Sequence, residues 1–419
     1  MAASNEKFGN QIPFCEPYWY QGYPSPYYHE GHKKFRAKVR ELVDKELRPH
    51  LDEWIKNGYP KSLHEKAYQL GVSGLIYPKE YGGTRPDDFD AFYELISVDE
   101  MARLGGGGVL NQLGINSMAL PPILHAGSDY LKNKVCRDVI TGKKAICLAI
   151  SEPYAGSDVA NIRTTAVRQG DYYLVNGIKK WITGGLMGDY FTTAVRTGGE
   201  GFGGISLLLL ERNMPGIKIR KMETQFDSAH STTFIVLEDV KVPLKNLIGV
   251  ENMGFMLIML NFNHERFVIS VQACRHARMC YQEAFQYALE RKTFGKRLID
   301  HQIIRFKLAE MARQVEALYD NLERVAYQFS NGVSDMDMGG QCALLKVQAS
   351  KTFEFCAREA SQIFGGNSIV KEGRGKVVER LYREVRAAAI PGGAEEILLD
   401  FAMRQSASKA KKLLKRSKL

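Results

Sequence analysis

Hydrophobic positions recur with a helical period over most of the chain and with a strand period in its middle. From about Gly31 to Ile140 apolar residues return every three or four places between charges, as in KKFRAKVRELVDKELRPHLDEWIK, and this spacing predicts amphipathic helices. SLHEKAYQLGVSGL predicts another, with Ser62 placed as its cap, and DDFDAFYELISVDEMARL a third that runs into GGGG at 105–108. Near Ala145 the texture changes. AICLAIS, TTAVRQGDYYLVNGIKKWIT, YFTTAVRT, GGISLLLLER and IKIRKM are short β-rich runs split by Gly, Asn and Asp, and they predict an antiparallel β-domain reaching about Val250. From Asn252 long amphipathic helices return and continue to about Ser406. The first residues, with PYWYQGYPSPYYHE, predict an irregular arm whose aromatics dock on the body. The expected class is α+β. Its expected parts are a Tyr/Pro-rich arm (1–30), an N-terminal helical domain (31–145), a central antiparallel β-domain (146–250), a C-terminal four-helix bundle (251–406) and a basic tail (407–419).

Composition narrows the function classes. The 419 residues are 45% hydrophobic and 25% charged, ordinary for a soluble protein, and no apolar run reaches membrane-span length. The first residues carry no signal-peptide pattern. Seven cysteines, at 15, 136, 147, 274, 280, 342 and 356, form no CxxC, so reduced thiols and no metal site are expected. The net charge of +10 owes much to KAKKLLKRSKL, which has no aromatic to stack on bases, and no nucleic-acid partner is expected. Its last three residues, Ser417-Lys418-Leu419, match a peroxisomal address, so a peroxisomal location and an import receptor as partner are expected. GEGFGG (199–204) fits a dinucleotide fingerprint, yet a strand-like run follows it where a helix is required, so a hairpin turn is expected there.

Four stretches carry candidate chemistry. In LNFNHERFVIS, Glu265 shares a helical face with Phe262, Val268 and Ile269, and a carboxylate on an apolar stripe is costly unless paired or used. In AISEPYAGSDVANIRTTA, Ser151, Gly156, Ser157 and Asp158 form a loop able to approach a flat polar ligand or a phosphate; a plain turn would use the same residues. Trp181 and Thr183 stand two apart on a strand and so face one side, an aromatic plate beside a hydroxyl; a core Trp is the plainer reading. Arg291 precedes a tight Thr293-Phe294-Gly295 break, and Gln362 ends a helix meeting Gly365-Gly366, where a solvated arginine and a simple helix stop are also adequate.

Taken in order, SEPYAGSDV, GIKKWITGG, RKTFGKRLIDHQ and QIFGGNS resemble the acyl-CoA dehydrogenase family over about residues 30–405. The resemblance implies a flavin fold with helical, β and helical domains, assembled as a homotetramer or homodimer, and an acyl-CoA substrate. It implies FAD held by Ile150, Ser151, Ser157, Trp181 and Thr183. Arg291, Thr293, Phe294, Gln362 and Gly366 come to it from a neighbouring subunit. Ser157 and Arg266 fall on the substrate side. The implied reaction removes an α-proton and a β-hydride from the thioester, with the Gly392 N–H helping to polarise the carbonyl.

The base is where this chain departs from the commoner family pattern. Most members carry a glutamate in a Y-E-G-T stretch; here IPGGAEEILL places Pro391 and Gly392 there. Isovaleryl-type and long-chain members carry the base on the first long C-terminal helix, in a motif ending Glu-Arg. NHERF places Glu265 on that position, so Glu265 is the expected base. Glu395 and Glu396 are the alternatives, though two acids in a helix's first turn are explained by its dipole. Ala394 and Glu396 stand where relatives have flavin-binding Thr and Gln, which implies weaker FAD binding. The competing functions are an oxygen-using oxidase and a non-catalytic flavin- or acyl-CoA-binding relative; the electron acceptor is a flavoprotein or oxygen.

Overall fold

The computed structural model describes residues 7–226 and 232–416, so the 417–419 tripeptide lies outside the described residues. Eight helices come first: α1 (Glu30–Glu41), α2 (Leu51–Asn57), α3 (Ser62–Gln69), α4 (Ala91–Ala102), α5 (Gly107–Gly114), α6 (Asn116–Ala119), α7 (Pro121–Ala126) and α8 (Asp129–Ile140). Strands follow: β1 (Ile146–Ala149), β2 (Thr165–Gln169), β3 (Tyr172–Thr183), β4 (Tyr190–Arg196), β5 (Ile205–Glu211), β6 (Ile217–Lys221), β7 (Thr232–Pro243) and β8 (Leu247–Ile248). The last part holds α9 (Gly254–Glu290), the hairpin β9 (Lys292–Thr293) and β10 (Lys296–Arg297), α10 (Gln302–Ser330), α11 (Asp335–Phe364), α12 (Lys376–Ala389) and α13 (Glu395–Arg416). No described helix is long and apolar enough to cross a membrane.

Packing groups these elements into two compact units that cross the sequence order. One comprises the described residues of 1–43, 90–106 and 263–419. Its core is built on the apolar stripes of α9, α10 and α11. Leu308, Met311, Val315, Leu318, Leu322 and Val325 of α10 recur at helical spacing and are all buried. Phe92 and Leu95 of α4 join this core, and α4 is buried nearly all round, its Glu94, Asp99 and Glu100 included. The arm docks here: Trp19 and Tyr20 are buried, and the Glu16 carboxylate meets Arg40 and Arg275, both at 2.8 Å.

The other unit comprises 44–89 and 107–262. Its sheet runs β6-β7-β3-β2-β4-β5-β8, with β1 added on β4. Most pairings are antiparallel, but β1 and β2 each pair with β4 in parallel, which local alternation cannot reveal. β4 and β5 are buried on both faces; β5 accordingly reads Leu207–Leu210 without a break, while β4 buries Thr192 and Thr193 among its apolar residues. GEGFGG lies between antiparallel β4 and β5, in the hairpin connection the sequence implies. Ser62 is not a cap: Lys61 occupies that position and makes no side-chain capping bond, so Ser62 is the first helical residue.

Candidate active site

Glu265 lies on α9 and is 9% exposed. Its Oε2 is buried and has no hydrogen-bond partner among the described residues. Burial lifts its pKa from 4.5 to about 7, against the opposing pull of Arg266, Lys346 and His264. None of these three cations is hydrogen-bonded to it, because each is engaged elsewhere. The Arg266 Nε donates to Gly392 O at 2.9 Å and its Nη1 to Asn263 Oδ1 at 2.7 Å. The His264 Nε2 meets Glu94 Oε1 at 2.9 Å, and Glu94 holds its imidazole well above the usual histidine range. The buried Lys346 Nζ donates to Ala389 O and, at 2.9 Å, to Gly393 O. The carboxylate thus sits in a positive field with its oxygens unspent, and a simple Glu265–Arg266 ion pair does not form.

Gly392 occupies the turn between α12 and α13 at φ 68°, and Gly393 follows at φ 113°. This left-handed run is open to glycine and strained for other residues. A Cβ at Gly392 would stand 3.0 Å from Ile269 Cδ1, one helical turn beyond Glu265, and 3.7 Å from Arg266 Cγ. The turn that lacks a glutamate therefore packs on the turn of α9 that has one. The Gly392 N–H donates to no acceptor among the described residues. Glu395 is engaged differently, its Oε1 accepting from Ser350 Oγ at 2.7 Å, and Glu396 is exposed.

In the β-containing unit, Ile150 and Ser151 leave β1 and are tied to β3. The Ile150 carbonyl accepts from Lys179 Nζ at 3.0 Å, and the Ser151 carbonyl from Lys180 N–H at 2.9 Å. Trp181 and Thr183 end β3, so these four residues come together, while Ser157 is exposed on the loop beyond. The strand argument for Trp181 needs correction. β3 shifts register against β7 between Lys180 and Ile182, and Trp181 adopts φ 62°. It is a bulge residue, so two-residue alternation does not set its direction; the bulge leaves the ring 48% exposed. Sequence reading also missed Glu152 and Lys179. The buried Glu152 carboxylate accepts from Lys179 Nζ at 2.7 Å, Arg163 N–H at 2.6 Å and Thr164 N–H at 3.0 Å, holding the loop's two ends together. Tyr173, Val175 and Lys179 fall on the buried phase of β3, and a lysine in that phase was the available signal.

Arg291 and Thr293 lead into the β9–β10 hairpin, where Phe294 (φ 49°) and Gly295 (φ 79°) form a two-residue turn. Arg291 is exposed, and Phe294 is 96% exposed. Gln362 is exposed on the last turn of α11, and Gly366 lies just past it. Tyr287 of α9 stacks on Phe364 of α11 with centroids 4.1 Å apart, so both groups come to one end of this unit. Glu265 and Glu290 stand 25 positions apart on continuous α9, about 37 Å along its axis. Arg291 therefore lies far from the Glu265 of its own chain.

These residues fit a flavin nucleotide: an exposed indole beside hydroxyls and backbone amides for a planar ring, and an exposed arginine for phosphates. A Cβ at Gly156, Gly365 or Gly366 would meet nothing within 4 Å, so backbone is open to close approach at each. Among the described residues one cluster, His29, His32 and Asp90, has metal-ligand types in reach. It is spent on capping: His32 Nδ1 accepts from His29 N–H, which leaves Nε2 to donate to Asp90 Oδ1, and Asp90 caps α4. A neutral imidazole used on both nitrogens has no lone pair left for a metal. All seven cysteines are free and buried.

Comparison with known proteins shows the family of the whole chain. Residues 29–143 match the acyl-CoA dehydrogenase N-terminal domain, 147–240 the middle domain and 252–407 the C-terminal domain. An acyl-CoA dehydrogenase of Emericella nidulans is 40% identical over 418 residues, covering 94% of this chain and 95% of its own. One of Alternaria alternata is 39% identical, covering 95% and 96%. The crystal structure of a probable acyl-CoA dehydrogenase from Mycobacterium abscessus superposes with a TM-score of 0.85 at 37% identity, covering 90% of this chain and 99% of that one. The chain belongs to the acyl-CoA dehydrogenase family and is an FAD-dependent oxidoreductase.

Proposed function

We propose that this protein converts an acyl-CoA thioester to the trans-2-enoyl-CoA with Glu265 as the base that removes the α-proton. The observation that carries this reading is the buried, unpartnered Glu265 Oε2, with its carboxyl lifted to about 7, on the helical turn that packs against Gly392. A base for a weakly acidic C–H needs basicity near the operating pH and an oxygen free to take the proton. The unspent Gly392 N–H serves as donor to the thioester carbonyl as negative charge builds on its oxygen. Arg266 holds the peptide plane that follows this donor through the Gly392 carbonyl and adds positive charge on the substrate side. FAD, when bound, supplies the two-electron acceptor for the β-hydrogen, which leaves as hydride while the α,β double bond forms. Ile150, Ser151, Ser157, Trp181 and Thr183 form the ring-side surface for it.

The distance between Glu265 and the hairpin supports a shared site. One copy would supply Glu265 and a second would bring Arg291, Thr293, Phe294, Gln362 and Gly366, in a homodimer or homotetramer. The experiment is anaerobic mixing of the FAD-loaded protein with a panel of acyl-CoAs. Loss of the oxidised-flavin absorbance with at least one thioester is expected; no change with any of them contradicts the reading. Admitting oxygen afterwards separates an oxidase, which reoxidises rapidly and forms peroxide, from a dehydrogenase that needs another acceptor.

A further inference from the structure

Lys346 is among the largest fully buried side chains, yet no carboxylate lies within ion-pair distance of it among the described residues. Burying an ammonium without a counter-charge is unfavourable unless its donors are well used. The Nζ donates to Ala389 O, an otherwise open carbonyl in the last turn of α12, and to Gly393 O, two residues before α13 begins. Arg266 Nε takes the Gly392 carbonyl between them at 2.9 Å. Two buried cations, one from α9 and one from α11, therefore hold three carbonyls of one short turn. That turn contains two adjacent glycines in left-handed conformations and has little stiffness of its own. The Gly392 N–H lies in the peptide plane it shares with Pro391, between the held planes that begin at Ala389 and at Gly392, so holding the planes on either side limits how that plane can turn.

We propose that Lys346 is a positioning residue for α-proton removal: by clamping the carbonyls of Ala389 and Gly393 it aims the Gly392 N–H at the substrate carbonyl. This rests on the assignment of Gly392 as carbonyl donor made above. In this chain the turn holds Pro391, Gly392, Gly393 and Ala394 with no carboxylate among them, and what it can present is an amide. The clamp keeps it in place for that task. The charged groups that face Lys346 are Glu265 and Arg266 of α9, Arg386 of α12 and Glu395 of α13.

The test separates proton removal from turnover. An acyl-CoA analogue with sulfur at the β-position can lose its α-proton but has no β-hydrogen to give. Incubation with the FAD-loaded protein in D2O, followed by mass spectrometry, reads α-deuterium incorporation. Lys346→Met is expected to slow exchange on the order of 10²-fold, the size of effect seen when one oxyanion donor is lost. The Kd of the analogue is expected to stay within a few-fold, and Lys346→Arg, which keeps donors for both carbonyls, to recover most of the rate. Exchange by Lys346→Met at the wild-type rate overturns the proposal, as does equal loss of exchange and analogue binding. If Lys346→Met does not fold, Lys346→Arg against Lys346→Gln decides: equal rates overturn the clamp, and a faster Arg variant supports it. Glu265→Gln is run alongside. Should it exchange like wild type, the base assignment fails while the Lys346 result keeps its meaning.

Discussion

Glu265 carries a cost that a purely structural residue would shed. Its carboxyl is lifted from 4.5 to about 7, which amounts to roughly 3 kcal/mol of penalty once it is ionised in the folded protein. Between those two pH values the folded state binds more protons than the unfolded chain, so this residue's contribution to stability falls as pH rises through that window. Above about pH 7 the penalty is complete. Glu265→Gln should therefore raise the melting temperature at pH 8.5 and change it little at pH 4.5, as thermal melts at the two pH values would show. The same titration should appear in catalysis: kcat/KM of the wild type should fall on the acid side with a midpoint near the free-enzyme value of about 7. A flat profile from pH 5 to 9 contradicts the base role. Glu265 was legible in the sequence because it interrupts an apolar helical stripe. Lys346 gives the same signal, lying with Cys342, Leu345 and Ala349 on a buried face of α11, and reading both would have brought the clamp into view.

At the scale of elements, helices and most strands follow from periodicity, because both patterns are local. What periodicity could not show is what depends on partners. The parallel placement of β1 and β2 on β4 depends on which strands meet in the sheet, and the bulge at Trp181 on register against β7. The Glu152–Lys179 pair belongs to the same class, since its members are 27 residues apart and meet only in the folded sheet. With Lys179 at 0% and Glu152 at 2% side-chain exposure, removing the lysine leaves a buried carboxylate with no counter-charge and only two backbone donors. Lys179→Met should cost roughly 3–5 kcal/mol of stability. It should also loosen the 150–164 loop and weaken FAD binding, measured by titrating apoprotein with FAD. Unchanged FAD affinity with lowered stability would confine the pair to a structural role.

At the scale of the whole molecule, the family, the α+β class and the FAD requirement were all visible in four ordered motifs. The grouping of elements into two units was not, because α4 packs on α10 and α1 on α4, rather than with the helices that lie between them in sequence. The length of α9 makes a prediction about assembly. Subunits carrying Arg291→Ala and subunits carrying Glu265→Gln should each be inactive, and mixed oligomers should regain activity that neither has alone. Recovery in the hybrids supports a site completed by a second copy; no recovery places Arg291 outside it. The most direct measurement is made on the complete loaded protein. Wild type and Glu265→Gln, both holding FAD, are mixed anaerobically with the acyl-CoA that bleaches the wild type fastest. The variant should keep its FAD and bleach slower by a factor on the order of 10²–10⁴, the usual contribution of a general base. Bleaching at the wild-type rate would show that another group takes the α-proton.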